Sequence, residues 1–215
     1  MKNDTTHFDL DCRRCPRLST FLDEVKIRQP DYHARPVPPF GDPHPKLLIV
    51  GLAPGMHGAN RSGRPFTGDY AGVLLYETLH KFGYASAPVS VSKDDGLVLT
   101  GCRITNAVKC LPPENKPETS EVKECNGYLA AEIASLPGDA AILALGNVAH
   151  AAVLKALCLK AADYRFGHDV RHALPDGRML YDSYHCSRYN TQTKRLTEAM
   201  FHAVFAHIQN DSKGA

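Results

Sequence analysis

The sequence predicts an α/β fold: three layers, α/β/α, with a central four-stranded, mostly parallel sheet. Four short, largely aliphatic runs alternate with stretches of helical spacing along the chain, which is typical of parallel sheets covered by helices on both faces. A polar or glycine-rich cluster follows each run, and open α/β sheets bind ligands outside the carboxyl ends of their strands. The predicted strands comprise residues 47–51, 102–108, 141–145 and 179–184.

The spacing of apolar residues predicts the helices that cover this sheet. They comprise residues 71–82, 120–135, 148–157 and 193–208. Before the first strand, a short amphipathic stretch is followed by a proline-rich segment, residues 35–45, which is interpreted as an extended connector. We therefore expect a single domain over residues 1–215, in which an N-terminal segment (1–45) precedes an α/β core (46–208).

Composition and charge restrict the classes of protein to which the chain can belong. With 215 residues, of which 43% are hydrophobic and 22% charged, it resembles a globular protein that buries a substantial core. No run approaches the roughly 18 apolar residues of a transmembrane helix, and the N-terminal residues form no signal-peptide core. We therefore expect a cytoplasmic protein without a membrane partner. The formal net charge of +2 indicates no class of partner, so nucleic-acid binding would require a local basic face.

The most informative stretch follows the first predicted strand. Residues 51–69 contain five glycines and two prolines and end in Phe66, Thr67, Gly68 and Asp69. Glycines let a backbone approach a ligand closely, so this segment is predicted to be a ligand-binding loop. It matches neither the dinucleotide-binding G-x-G-x-x-G nor the P-loop G-x-x-x-x-G-K-[ST], which removes the specific support for those two kinds of nucleotide site.

The chain contains seven cysteines, which in a cytoplasmic protein argue against structural disulfides. Cys12 and Cys15 form a C-x2-C pair, whereas Cys110 and Cys125 bracket a 14-residue gap that contains prolines. Four thiolates can hold tetrahedral zinc or an iron–sulfur cluster. The wide second pair favours a cluster over one zinc ion, and unrelated buried thiols are the third interpretation.

Two residues in the loops that follow the predicted strands allow both a structural and a catalytic interpretation. His185 follows the fourth strand, with Ser187 and Asn190 shortly after it. It is either a structural hydrogen-bonding residue or a group that stabilises negative charge on a leaving group. Asp69 is either the N-cap of the first predicted core helix or a carboxylate that orients water or stabilises a developing cation.

Phe66 and Asn106 are the candidates for recognising a flat ligand. Phe66 is either a core ring or a stacking platform. Asn106 either satisfies backbone groups at a strand end or pairs with the edge of a base, since its amide offers a donor beside an acceptor.

Basic residues occur near these loops, and each one alone is typical of a solvated surface. Together on one edge of the sheet they would suit a phosphate backbone. Asn60 with Arg61, and Arg188 with Tyr189, are the pairs that we expect to enter a groove or to fill a vacated stack. The basic set comprises Arg61, Arg64, Lys109, Arg188, Lys194 and Arg195.

Four motifs resemble those of the uracil-DNA glycosylase superfamily. They are GLAPG at 51–55, GRPFTGD at 63–69, TNAVKC at 105–110 and HCSRYNTQTKRLT at 185–197, combined with the four cysteines. The resemblance spans residues 12–208 and is closest to family 5, the UDGb type with an iron–sulfur cluster. Family 4 relatives typically carry an acidic residue at the position of Leu52 and a proline at that of Cys186, so the apolar Leu52 favours family 5.

The resemblance implies a role for each candidate residue. Asp69 would lie near the sugar and the attacking water, His185 at the base carbonyl, and Asn106 at the Watson–Crick edge, and these three would be catalytic. The base pocket would be formed by Gly51, Leu52, Ala53, Gly55, Phe66, Asn106 and His185. DNA would be contacted by Asn60, Arg61, Arg64, Ser187, Arg188, Tyr189 and Asn190. A structural 4Fe–4S cluster, bound in part by the N-terminal segment, would be held by Cys12, Cys15, Cys110 and Cys125.

The activity implied by the resemblance is that of a monomeric DNA repair glycosylase. It would flip uracil, and other deaminated bases such as hypoxanthine, out of DNA and hydrolyse the N-glycosidic bond, leaving an abasic site. Three other classes of protein compete with this hypothesis: a non-catalytic protein that binds damaged DNA, an iron–sulfur redox protein, and a zinc-stabilised nucleotide hydrolase.

Overall fold

The computed structural model describes residues 8–213, and a six-stranded sheet forms the centre of this part of the chain. The four inner strands are parallel and correspond to the four predicted strands. Two antiparallel edge strands enlarge the predicted four-stranded sheet to six. In pairing order, the strands are β1 (Phe40–Gly41), β3 (Cys102–Asn106), β2 (Leu47–Gly51), β4 (Ala141–Leu145), β6 (Met179–Ser183) and β5 (Arg171–Ala173).

The differences from the predicted sheet occur at edges and strand ends. β1 and β5 have two and three residues, which is too short for a periodic pattern to appear in the sequence. β2 and β4 are buried at every position, which explains their continuous apolar sequence. The second predicted strand ends at Asn106 instead of Val108, because Ala107 and Val108 turn to bond the loop that follows β2.

Helices cover both faces of the sheet, which confirms the three-layer architecture. One face carries α3 (Tyr70–Lys81) and α7 (Glu198–Lys213), and the other carries α4 (Thr119–Ala134) and α5 (Asn147–Ala156). None of the helices within residues 8–213 is long and apolar enough to cross a bilayer.

Alternate residues of the inner strands point into two separate cores. Leu47 and Ile49 pack with α3 and α7, whereas Leu48 and Val50 pack with α4 and α5. All four side chains have 0–1% of their surface exposed. The loops at the carboxyl ends of the strands therefore rest on a frame that is buried from both sides.

Three further helices lie outside the two covering layers. They are α1 (Pro16–Arg28), α2 (Ala59–Ser62) and α6 (Arg188–Gln192). The last predicted helix, residues 193–208, is wrong at its start, because α6 ends before it and α7 begins only at Glu198. Lys194 has a left-handed backbone (φ 58°) that no α-helix can include, and it separates the two helices.

Candidate active site

A cavity of about 460 Å³, open to solvent, lies at the carboxyl edge of the inner strands. The loops after β2, β3 and β6 contribute most of its walls, as the position of the polar clusters predicted. Its lining residues are Leu52, Ala53, Gly55, Ala59, Phe66, Asp69, Tyr70, Ala71, Asn106, Asn115, His185, Ser187 and Arg188.

Backbone hydrogen bonds hold two of these loops together. The N–H of Ala107 donates to the carbonyl of Gly51 (2.9 Å), and the N–H of Val108 donates to that of Leu52 (3.0 Å). Only glycine fits at position 51, because a Cβ there would collide with Oδ1 of Asn106 and lie 2.7 Å from the Phe66 ring. The close approach permitted by Gly51 therefore brings the ring and the amide together.

Asn106 is the last residue of β3, and its side chain is 3% exposed. Its Oδ1 atom is buried and has no hydrogen-bond partner in the protein. Leaving a buried acceptor unpaired costs about 1–3 kcal/mol, and native proteins rarely accept that cost without a reason. A ligand in the cavity that brings a donor would satisfy this atom.

Phe66 serves as both core ring and cavity wall. It is 6% exposed, and its ring lies 5.8 Å from that of His185, with the two planes inclined by 28°. Its backbone is in the left-handed region (φ 54°), which is uncommon for an aromatic residue and clusters at functional sites. The hydroxyl of Tyr76 donates to the carbonyl of Pro65 (2.8 Å), which helps to hold this turn in place.

Asp69 is the N-cap of α3 and also lines the cavity. One carboxylate oxygen accepts from the N–H of Gly72 (2.9 Å), so the structural interpretation of this residue is confirmed. The carboxylate also packs against Gly58, where a Cβ would collide with it. Burial raises the pKa of Asp69 above its ordinary value, although the backbone N–H groups of Gly72 and Ala71 oppose the shift. Among the described residues that line the cavity, Asp69 is the only carboxylate.

His185 follows β6 and faces Phe66. Burial lowers the pKa of its imidazole to about 4, so the ring is neutral near pH 7 and carries one N–H donor. The side-chain amide of Asn190 donates to the backbone carbonyl of His185 (2.8 Å). Asn190 therefore acts within the protein and positions the histidine, whereas Ser187 caps α6 through a bond from the N–H of Asn190.

Three of the predicted DNA-contacting residues are exposed at or near the mouth of the cavity. The guanidinium of Arg188 lies 5.1 Å from the ring centroid of Tyr70, and Tyr189 is 70% exposed. Arg61 is exposed beside Gly68, at the end of the glycine-rich loop. Their positions leave these side chains free to approach a nucleic acid.

Two other predicted DNA contacts are wrong, because the structure buries them. Asn60 is 0% exposed within the protein. Arg64 is 5% exposed, with its guanidinium 2.7 Å from the Asp95 carboxylate and stacked 4.2 Å from the ring centroid of Phe40. Lys109 was also predicted to belong to a basic surface, but its ammonium group is buried 3.3 Å from the Glu132 carboxylate.

Asn115 and Tyr70 also line the cavity, although the sequence did not predict them as site residues. Asn115 lies between the two distant cysteines, in a 3-10 turn (Pro113–Asn115) where Glu114 and Asn115 both have left-handed backbones. The PPEN sequence signals a turn, but nothing local indicates that this turn reaches the cavity. Tyr70 follows Asp69 directly, so proximity along the chain was the available signal.

The four cysteines Cys12, Cys15, Cys110 and Cys125 line one pocket between the start of α1 and the middle of α4. The interpretation that these thiols are unrelated is therefore wrong. Burial raises the pKa of Cys110, and the neighbouring Cys125, Cys12 and Cys15 raise it further. Thiols packed in this way lose their protons together only if a cation compensates the charge.

The spread of the thiols fits a polynuclear group better than a single ion. Around tetrahedral zinc, with bonds of about 2.3 Å, the sulfurs would lie about 3.8 Å from one another. Within residues 8–213, no three of these sulfurs lie within 4.8 Å of one another. The backbone N–H of Lys109 donates to Cys125 Sγ (3.3 Å), the kind of bond that tunes cluster thiolates. The residues present therefore fit an iron–sulfur cluster.

Comparison with protein families gives one match that covers most of the chain. Residues 38–209 match the model of the uracil DNA glycosylase superfamily. The matched region contains all six strands of the sheet and every residue that lines the cavity.

Individual relatives agree with this match. The chain is 47% identical over 195 residues to a type-5 uracil-DNA glycosylase of Thermus thermophilus, covering 88% of this chain and 89% of the relative. It is 43% identical over 192 residues to one of Pyrobaculum aerophilum (87% and 83%). It is also 43% identical over 203 residues to one of Mycobacterium bovis (90% and 75%).

Proposed function

The chain belongs to the uracil DNA glycosylase superfamily and is a uracil-DNA glycosylase of DNA repair, and from this premise we propose how its residues carry out the reaction. The observation that supports the assignment of roles is the unpaired Oδ1 of Asn106 beside Phe66 in the open cavity. Uracil presents an N–H donor next to a carbonyl acceptor, which is the complement of a carboxamide.

Base recognition requires the target nucleotide to leave the duplex, since the glycosidic bond of a stacked base is out of reach. We propose that the flipped uracil stacks on Phe66 and pairs with Asn106. Unstacking costs a few kcal/mol, which is offset by this stacking and by phosphate contacts from Arg61 and Arg188. The exposed Tyr189 is positioned to fill the gap left in the duplex.

Leaving-group stabilisation is assigned to His185. Cleavage of the bond leaves negative charge on the base, and a neutral imidazole N–H can donate to the base carbonyl as this charge develops. Neutrality is maintained because burial holds the pKa of His185 at about 4. Asn190 keeps the histidine backbone in place for this contact.

Asp69 is assigned to the sugar side of the reaction. Its carboxylate stabilises the oxocarbenium-like sugar and orients the attacking water. The N–H of Gly72 fixes the carboxylate through the helix cap, so a single residue ends the loop, starts α3 and presents charge to the cavity.

The apolar side chain of Leu52 bears on the relative contributions of leaving-group stabilisation and base catalysis. It lines the cavity at the first loop, where a carboxylate would be placed to activate water, but its side chain is apolar. We therefore propose that stabilisation of the leaving base carries more of the rate than base catalysis, with Asp69 assisting.

The range of bases is proposed to extend beyond uracil. With few polar checks around Asn106, the cavity would also admit hypoxanthine, whose ring presents the same donor-and-acceptor edge. Release of hypoxanthine, xanthine and ethenocytosine from matched oligonucleotides tests this extension, and a protein that releases uracil alone would contradict it.

We propose that Cys12, Cys15, Cys110 and Cys125 hold a 4Fe–4S cluster. When bound, such a cluster supplies cross-links among distant parts of the chain, here in a structural role. Cys110 lies four residues after Asn106, and Asn115 follows it in the same loop. The cysteines thus brace the segment that carries one wall of the cavity. Iron content and broad absorption near 400 nm in the purified protein, absent after Cys125→Ser, test this assignment.

We further propose that the chain acts as one cytoplasmic domain and as a monomer. The residues proposed to recognise the base, stabilise the leaving group and act on the sugar all line one cavity of this chain. Size-exclusion chromatography with light scattering checks the oligomeric state.

Release of free uracil from a uracil-containing oligonucleotide, followed by strand breakage in alkali, tests the catalytic assignment. We expect His185→Ala and Asp69→Asn to reduce base release while DNA binding is retained. Binding of damaged DNA without base release would favour the non-catalytic class, and full activity of both variants would contradict the proposed mechanism.

A further inference from the structure

A second cluster of polar side chains is buried away from the base cavity. His150 of α5, His172 of β5 and Asp182 of β6 each offer one ligand atom, and the three atoms lie within 4.8 Å of one another. Within residues 8–213 this is the only such group of histidine, cysteine or acidic side chains. Their side chains are 3%, 11% and 0% exposed.

Asp182 contacts both histidines, one with each carboxylate oxygen. Its Oδ1 lies 2.8 Å from Nδ1 of His150, and its Oδ2 lies 3.2 Å from Nε2 of His172. Both contacts come from different elements, so three parts of the chain converge on one carboxylate. A buried carboxylate requires compensation for its charge.

The far side of the His150 ring determines which nitrogen carries hydrogen. Nε2 lies 2.9 Å from the backbone carbonyl oxygen of Tyr164. A carbonyl oxygen can only accept, so Nε2 is the donor. With Nε2 donating to Tyr164, Nδ1 faces the Asp182 carboxylate at 2.8 Å, so either a proton on Nδ1 or a metal ion must lie between these two atoms.

We propose that His150 Nδ1, His172 Nε2 and the Asp182 carboxylate bind a single divalent transition-metal ion of the zinc class. Two imidazoles and a carboxylate form a donor set that zinc accepts. A ligating histidine commonly donates its other N–H to a backbone carbonyl, as His150 does to Tyr164.

The spacing of the ligand atoms agrees with such an ion. Around a tetrahedral centre with bonds of about 2.0 Å, neighbouring ligand atoms lie about 3.3 Å apart. The observed contacts of 2.8 Å and 3.2 Å would have to widen by about 0.5 Å and about 0.1 Å to reach this spacing. A fourth position remains for water, and the partial exposure of His172 provides the route for the ion.

The ion would join elements that the sheet connects weakly. β5 is an edge strand of three residues that pairs with β6, and α5 packs on the sheet through the apolar side chains of one face. β6 leads directly into His185. A metal shared by these three elements would stabilise the fold on the histidine side of the cavity, and it uses none of the residues assigned to the reaction.

Zinc content and zinc-edge X-ray absorption of the full-length, iron-loaded protein test the proposal. After incubation with Zn²⁺ and removal of the excess, we expect about one zinc per chain, with nitrogen and oxygen at about 2.0 Å and no sulfur at about 2.3 Å. Failure to retain zinc would overturn the proposal. A sulfur shell would also overturn it, because it would place the ion in the four-cysteine pocket.

A matched pair of variants locates the ion. His172→Gln keeps a side-chain donor for Asp182 but removes the imidazole ligand, so we expect at least about tenfold weaker zinc binding and loss of the zinc-dependent rise in Tm. His207→Gln is the control, since His207 Nδ1 lies 2.8 Å from Asp169 in an otherwise similar pair. Equal zinc binding by His172→Gln and the wild type would contradict the assignment, and the absorption spectrum of the wild type decides the question if the variant does not fold.

Discussion

The base cavity and the four-cysteine pocket are built in different ways. The cavity takes its groups from the ends of buried parallel strands, so the hydrogen bonds of the sheet already hold Asn106 and the start of each loop. The four-cysteine pocket lies outside the sheet, where Arg17 pairs with Glu121 (2.8 Å) and so joins α1 to α4. The comparison indicates that the sheet orders the cavity, whereas we expect the proposed 4Fe–4S cluster to help order the pocket.

Among the variants compared below, the largest expected effect is the loss of activity in Asp69→Asn, although His185→Ala, which removes the donor to the leaving base, should lose more. Removing the carboxylate while keeping an amide that caps helices equally well should lower the single-turnover rate of uracil release by about 10²–10⁴-fold. Thermal unfolding should change little, because the cap remains. Asp94→Asn, in an exposed turn, is the control that should keep full activity. A wild-type rate in Asp69→Asn would show that the carboxylate in the cavity is only structural.

Cys125→Ser should destabilise the four-cysteine pocket but not the sheet that carries the base cavity. Loss of one ligand should remove iron and lower Tm by about 5–10 °C, since binding energy at such a site is folding energy. Proteolysis should begin near α1, while the sheet stays protected. Cys158→Ser is the control, because Cys158 is exposed and lies outside the pocket. Unchanged iron content would remove Cys125 from the set of ligands.

Asn106→Leu should reduce activity without reducing stability. Losing the base-pairing amide should slow uracil release by about 10–100-fold, whereas removing an unpaired buried acceptor should leave the free energy of unfolding equal or higher. Asn126→Leu is the matched comparison, because Asn126 is also buried but donates to the carbonyl of Ala152 (2.8 Å). That variant should lose about 1–3 kcal/mol of stability. Equal destabilisation of both variants would indicate that Asn106 has a protein partner.

The pH dependence of the rate should reflect the titration of Asp69 and not that of His185. Since burial raises the pKa of Asp69, its reactive carboxylate is lost on acidification at a higher pH than for an ordinary aspartate. Below that pKa the single-turnover rate should fall about tenfold per pH unit. His185, with a pKa of about 4, stays neutral from pH 5 to 8 and adds no step there. A histidine-like step near pH 6.5 that persists in Asp69→Asn would contradict this interpretation.

The smallest expected effect is that of Arg188→Ala. An exposed arginine at the mouth of the cavity should contribute one phosphate contact, so its removal should weaken DNA binding modestly and reduce the slope of log K against log salt by about 1. Arg28→Ala, at the end of α1, is the control and should leave the slope unchanged. A change that depends on the base sequence would show that Arg188 contacts bases.

Sequence patterns predicted the elements whose burial and position leave a signal in neighbouring residues. The inner strands appear as apolar runs because both faces are buried, and polar residues after parallel strands converge because all carboxyl ends share one edge. The burial of Arg64 was not predictable in this way. Its partner Asp95 is 31 residues distant in the chain, and an arginine in a loop has the same local pattern whether it binds phosphate or a buried carboxylate.

Asn115 and Asp69 illustrate two further limits. Asn115 reaches the cavity because the loop between Cys110 and Cys125 folds back, a tertiary event without a local signal. Asp69 was interpreted as either a cap or a functional carboxylate. The structure shows that it caps α3 while lining the cavity, so the two interpretations do not exclude each other.

The hydrogen bond from Val108 to Leu52 bears on which side chains position 52 can carry. The carbonyl of Leu52 is held by the N–H of Val108, so the main chain at this position is fixed independently of the side chain. We therefore expect Leu52→Asp to place a carboxylate in the cavity while this backbone hydrogen bond is kept. A change of chemistry at residue 52 is therefore compatible with the base recognition proposed for Asn106.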